Sequence, residues 1–194
     1  MTYIRNHSKD IFIFLALIVI VALLQINLLE PFLHYGFTPD DWWPLAHFHF
    51  LGQNNLLEKI LAIWKTDGVY ATYQILYINL LHHFFKFNYE AYQITNHILK
   101  AFSAIALYPL IAIFFRNRLL AFITTVLYAM AYSPVGTFEP TAKGSDFLSI
   151  SFMSLFFISY YYKIKNIIKG WKWNIFLSLM LVFTVLLSPI RMYP

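Results

Sequence analysis

In a chain otherwise poor in charge, two adjacent carboxylates meet two indoles at Thr38-Pro39-Asp40-Asp41-Trp42-Trp43. One carboxylate could act as general base on an acceptor hydroxyl, made more basic by its charged neighbour and by partial burial. The faces of Trp42 and Trp43 would suit a sugar ring. The same residues also fit a plainer role, with an Asp capping a short helix and the tryptophans anchored at a membrane interface.

A second constellation lies at Tyr92 to Lys100, where Gln93, Asn96, His97 and Lys100 fall at i, i+3, i+4 and i+7 on one helical face. A polar stripe entering an apolar helix is costly, and such residues face a bundle interior or a wet cavity. There Lys100 could pair with an anionic headgroup or phosphate. The alternative is hydrogen bonding between helices plus a snorkelling lysine. The segment Ser133 to Asp146 adds Glu139, Lys143 and Asp146, and Arg191 lies near the end of the chain. Carboxylates and cations together suit proton abstraction or a divalent metal, while Asp146 could instead cap the helix that follows. His34, His47, His49, His82, His83 and His97 include the pair His47-Phe48-His49 but no HExxH spacing, so no metal or other cofactor is predicted. Walker, GxGxxG, GxSxG and heptad patterns are missing from the sequence.

The elements that must position these residues are membrane helices. Of the 194 residues, 60% are hydrophobic, 20% aromatic and only 12% charged, about half the charge of an ordinary soluble domain. The net charge of +5 is spread between apolar runs and forms no stripe for nucleic acid. With no Cys, thiolate chemistry and structural disulfides drop out. Apolar segments run from Ile11 to Leu29, Ile94 to Phe115, Leu119 to Val135, Phe147 to Tyr162 and Trp173 to Ser188, each near spanning length once tilt is allowed. A cleaved signal peptide competes for the first run, but the run is long and no small-residue cleavage site follows. The expectation is an all-α membrane protein: one transmembrane domain over residues 1–194, with about five transmembrane helices.

A cytoplasmic N-terminus puts Arg5, Lys9, Arg116, Arg118 and the lysines from Lys163 to Lys172 on the inner side. It puts every acid except Asp10 outside, so the chemistry belongs on the outer face of the cell membrane. The long outer segment, residues 30–91, is too apolar for a solvated loop. Leu56, Leu57, Ile60, Leu61 and Trp64 recur at helical spacing opposite Asn54, Asn55, Glu58 and Lys59, which predicts an interfacial amphipathic helix. Asp67-Gly68 is expected to turn the chain, leaving Tyr70 to Phe85 as a second surface or re-entrant helix.

The order of these elements resembles the N-terminal half of the GT-C class of multi-pass glycosyltransferases, which includes protein O-mannosyltransferases and the lipid A aminoarabinose transferase. In that class a first span leads to a large outer loop with an acidic motif near its start, here Asp40-Asp41, then to a span opening much like Tyr92 to Lys100. Tyr92 and Asn96 match the family pattern. Gln93 and Lys100 stand where the relatives have histidines, and Ser133-Pro134, Glu139 and Asp146 follow the family order. The resemblance implies inverting transfer of a sugar from a polyprenyl phosphate to a hydroxyl acceptor, with Asp40 or Asp41 as base. Cations such as Lys100, Lys143 or Arg191 would stabilise the phosphate leaving group. It also implies further spans beyond Pro194. The alternatives are a non-catalytic membrane subunit or scaffold, or a transporter element whose polar stripe lines a substrate path.

Overall fold

The computed structural model describes residues 2–34, 36–37, 42, 45–46, 56–131 and 143–187. Six α-helices of 13 to 32 residues organise the described chain. They are α1 (Thr2–Leu33), α2 (Leu56–Phe85), α3 (Tyr89–Phe115), α4 (Arg118–Met130), α5 (Lys143–Ile164) and α6 (Trp171–Leu187). Among the described residues three segments are long and apolar enough to cross a bilayer: Ile11–Pro31, Tyr89–Phe115 and Gly144–Ile164. The chain is therefore a multi-pass, all-α bundle. The apolar part of α6 runs from Trp171 to Val182. At 13 residues, α4 rises only about 20 Å. Residues 132–135 and 188, expected to complete those two spans, lie outside the described residues.

Short polar links set the helix directions. Asn88 Oδ1 accepts from Ala91 N at 3.2 Å to start α3, and Asn117 Oδ1 accepts from Leu120 N at 3.0 Å to start α4. Arg116, at φ 52°, ends α3 in the left-handed conformation, which reverses the chain within two residues. Gly170, at φ 107°, precedes α6 in a conformation that favours glycine.

α3 is the central helix and packs on α1, α4 and α5. α1 runs antiparallel to it, since Phe14 meets Tyr108 (ring centroids 5.9 Å apart) while Gln25 meets His97. α4 is also antiparallel to α3, whereas α5 is parallel: Lys100 lies near Phe147 and Phe114 near Phe157. One apolar core joins Leu17 and Val21 to Ala104 and Tyr108 and to Ala121 and Ala129. A second gathers Leu45, Tyr77, Ile78, Leu81 and Tyr92 where α2 meets the start of α3. Large apolar side chains such as Phe12, Leu23, Leu119 and Leu179 point outward, as a surface facing lipid rather than water requires.

Among the described residues of 30–91, the structure differs from the expectation at Asp67-Gly68. α2 is continuous from Leu56 to Phe85 and runs through Asp67-Gly68, where a turn was expected. A glycine inside a helix costs about 1 kcal/mol. Leaving backbone donors and acceptors unpaired costs at least as much, so the helix continues.

Candidate functional site

The stripe on α3 is fully buried at Gln93, Asn96, His97, Lys100 and Ser103. Its members hydrogen-bond to three other helices, α1, α2 and α4. Tyr77 OH, from α2, donates to Asn96 Oδ1 at 2.8 Å. Gln93 Nε2 donates to Tyr89 OH at 2.9 Å, one turn earlier on α3. Ser103 Oγ donates to the Lys100 carbonyl at 2.8 Å, so its 3.0 Å contact with Tyr128 is one in which the phenol donates.

The bonds of His97 and Lys100 follow from the way α4 ends. An α-helix leaves its last four carbonyls without intrahelical donors. At the end of α4, Ala131 N donates to the carbonyls of Leu127 and Tyr128. The Ala129 carbonyl takes Gln25 Nε2 from α1 at 2.7 Å, and the Ala131 carbonyl takes Lys100 Nζ from α3 at 2.8 Å. Two side chains from other helices thus take part in the cap, and the lysine also complements the negative end of the helix dipole. Lys100 Nζ stands 5.8 Å from the centre of the Phe147 ring as well.

The same geometry fixes a tautomer. The Ala129 carbonyl can only accept, so the Gln25 amide must present its nitrogen there and turn Oε1 toward His97 Nδ1, 2.9 Å away. Oε1 can also only accept, so Nδ1 carries the proton. In the neutral imidazole the basic lone pair is then on Nε2.

Lys100 lies eleven residues into α3, about 17 Å along a helix about 40 Å long. α4 therefore ends beside the middle of α3. Non-helical backbone at such depth is tolerated where protein or water satisfies its polar groups, and Lys100 supplies part of that satisfaction.

At the start of α5, a Cβ on Gly144 would run into Tyr77 OH and Asn96 Oδ1. Glycine there lets α5 approach the α2–α3 junction closely. Ser145, Ser149, Ser151 and Ser154 are buried small residues further along α5, with Ser151 and Ser154 returning their hydroxyls to carbonyls one turn back.

Of the other expected site residues, Trp42 is half exposed, and its ring lies 5.2 Å from Phe37 and 5.7 Å from Phe87. Phe37 in turn meets Tyr89 and Tyr92 edge-on. An aromatic train thus ties Trp42 to the first turn of α3, beside the stripe. Lys143 is the first residue of α5, and Asp146 lies in its first turn rather than at its cap, where a carboxylate still favours the helix dipole. Asp40, Asp41, Trp43, Glu139 and Arg191 lie outside the described residues, as do His47 and His49. Among the described residues no three His, Asp or Glu side chains gather as metal ligands would. At the end of α2, partial burial first, and then the charge of Lys86, hold the His82 imidazole below its usual range.

Gln25, Tyr77, Ser103, Tyr128 and Gly144 join the candidate site in the structure without having been singled out in the sequence. Gln25 carried a usable signal, a lone amide inside an apolar span. The others carried none, because their importance lies in which helix they meet. No protein-family model, curated protein or solved structure matches the chain.

Proposed function

We propose that the chain is part of a membrane-embedded glycosyltransferase that moves a sugar from a polyprenyl-phosphate carrier to a hydroxyl acceptor at the outer face of the cell membrane. In this reading α1, α3, α4, α5 and α6 all cross the bilayer, with the N-terminus and the basic turns on the cytoplasmic side. The observation that carries it is a lysine in the interior of an apolar span, held at the level where α4 ends. Intramembrane cations of this kind mark anion or substrate paths.

A polyprenyl phosphate leaves as a stable anion, so the site needs positive charge more than a proton donor. Lys100 supplies that charge, with Lys143 and Arg191 as the sequence's further candidates. Asp40 or Asp41 serves as base on the acceptor hydroxyl. Trp42 and Trp43 offer faces to the sugar, and Asn96, His97, Glu139 and Asp146 offer polar contacts. The tethering of Trp42 to the first turn of α3 supports this reading, because Asp40 and Asp41 immediately precede it in the chain.

The test is sugar transfer in isolated membranes supplied with a radiolabelled polyprenyl-phosphate sugar. Asp40→Asn or Asp41→Asn should lower transfer by at least about 100-fold, the scale of a lost general base, with an unchanged amount of inserted protein. Full activity in both variants would remove the base assignment.

A second reading is favoured by one observation: Asn96, His97, Lys100 and Ser103 each bond a neighbouring helix. On that reading the stripe is packing, and the chain is a non-catalytic multi-pass subunit or transporter element. It expects Asp40 and Asp41 to tolerate neutral substitution.

A further inference from the structure

We propose that the basic end of the bundle carries a binding site for an anionic diacyl phospholipid, with its phosphate held between Arg116 and Arg118. An open groove of about 530 Å³ lies where α1, α3, α4 and α5 meet, within the usual size range of ligand sites. Its wall includes Phe14 and Tyr108, and its rim carries Arg116, Arg118 and the exposed Tyr162. Arg118 also borders a second groove of about 370 Å³ between Phe12 and Phe122, whose lining is almost wholly apolar.

The position of these grooves decides the class of ligand. The three long apolar segments begin or end here, at Ile11, Phe115 and Ile164, so the grooves straddle the boundary between hydrocarbon and headgroups. A soluble anion would need only the charged rim. A neutral lipid would need only the walls. A molecule with a phosphate on the rim and an acyl chain along each of two apolar walls uses both.

The backbone supports the same assignment. Arg116 is held in the left-handed conformation and Arg118 is the first residue of α4, so the reversal sets two guanidiniums on one rim within three residues. The N-terminal end of α4 adds its positive dipole end beside them. Guanidinium forks match phosphate oxygens in pairs, and the Tyr162 hydroxyl can donate a further bond. Lys163, Lys165, Lys169 and Lys172 enrich the surrounding surface in positive charge, which concentrates anionic lipid there but provides no groove.

Native mass spectrometry of the full chain in detergent tests the proposal, with dioleoyl phosphatidylglycerol and dioleoyl phosphatidylcholine as probes. The expected result is retention of the glycerol lipid and not the choline lipid, with retention reduced roughly tenfold in Arg116→Gln/Arg118→Gln. Arg118→Gln alone leaves the left-handed turn untouched and should give part of the loss. Lys169→Gln/Lys172→Gln removes the same charge away from the groove and should retain the lipid as the native chain does. Equal loss in that control would reduce the effect to surface charge and overturn the site, as would equal retention of both lipids. Inorganic phosphate at millimolar concentration should not displace the lipid. If it does, a free phosphate is the ligand and the lipid assignment fails.

Discussion

Gln25 makes two bonds with one amide, donating to the Ala129 carbonyl and accepting from His97, so one side chain of α1 hydrogen-bonds both α3 and α4. Gln25→Leu keeps the volume roughly constant and removes both bonds. The expected cost is about 1–2 kcal/mol, since hydrogen bonds between membrane helices contribute modestly and a deserted partner adds its own penalty. Unfolding in mixed micelles measures it, and a double-mutant cycle with His97→Ala should show coupling above zero. Lys100→Met is expected to lower stability by a similar about 1–2 kcal/mol through the lost cap. If transfer activity also falls in Lys100→Met but not in Gln25→Leu at matched levels of folded protein, the lysine serves substrate as well as structure. At this scale the α3 stripe was legible because helical spacing puts its polar residues on one face. The partners were not. Nothing local tells Lys100 that a short helix will end beside it.

Among the elements, α5 depends most on a single small residue. Gly144→Ala would press a methyl group against Tyr77 OH and Asn96 Oδ1, and overpacking of a tight site costs about 1–3 kcal/mol. Tyr77→Phe gives up the bond to Asn96 but removes the nearest obstructing atom. Gly144→Ala/Tyr77→Phe should therefore be more stable than the sum of the single changes implies, and thermal unfolding in detergent will show it. Equal additivity would mean that the start of α5 is looser than its contacts indicate. The long spans were readable from unbroken apolar runs, and their bounds moved by only a few residues, as with α3 starting at Tyr89 instead of Ile94. The turn expected at Asp67-Gly68 failed because a local breaker signal competes with the continuous backbone bonding of a 30-residue helix.

For the described bundle, the contacts make α1, α3, α4 and α5 alternate in direction, which puts Glu90 and Lys169 at opposite ends of it. The chain contains no cysteine, so single introduced thiols give an unambiguous readout. Glu90→Cys should react with a membrane-impermeant maleimide in intact cells, and Lys169→Cys only after permeabilisation. The reverse pattern would invert the orientation inferred from the basic turns. Labelling of both would exclude opposite ends. The order of apolar runs and short polar turns was legible in the sequence, while the crowding of α1, α4 and α5 around α3 depends on side-chain fit that no single segment displays.

The cap of α4 also bears on how the protein is made. The two side chains that take part in it, Gln25 and Lys100, belong to helices that precede α4 in the chain. During synthesis they are already in the bilayer when α4 leaves the ribosome, so a helix too short to shield its own end meets its partners on arrival. Replacing both should leave α4 slow to integrate and exposed to quality-control proteolysis, even where each helix taken singly remains apolar enough to insert. A pulse-chase of Gln25→Leu/Lys100→Met against the native chain measures this directly, and equal lifetimes would separate the cap from biogenesis.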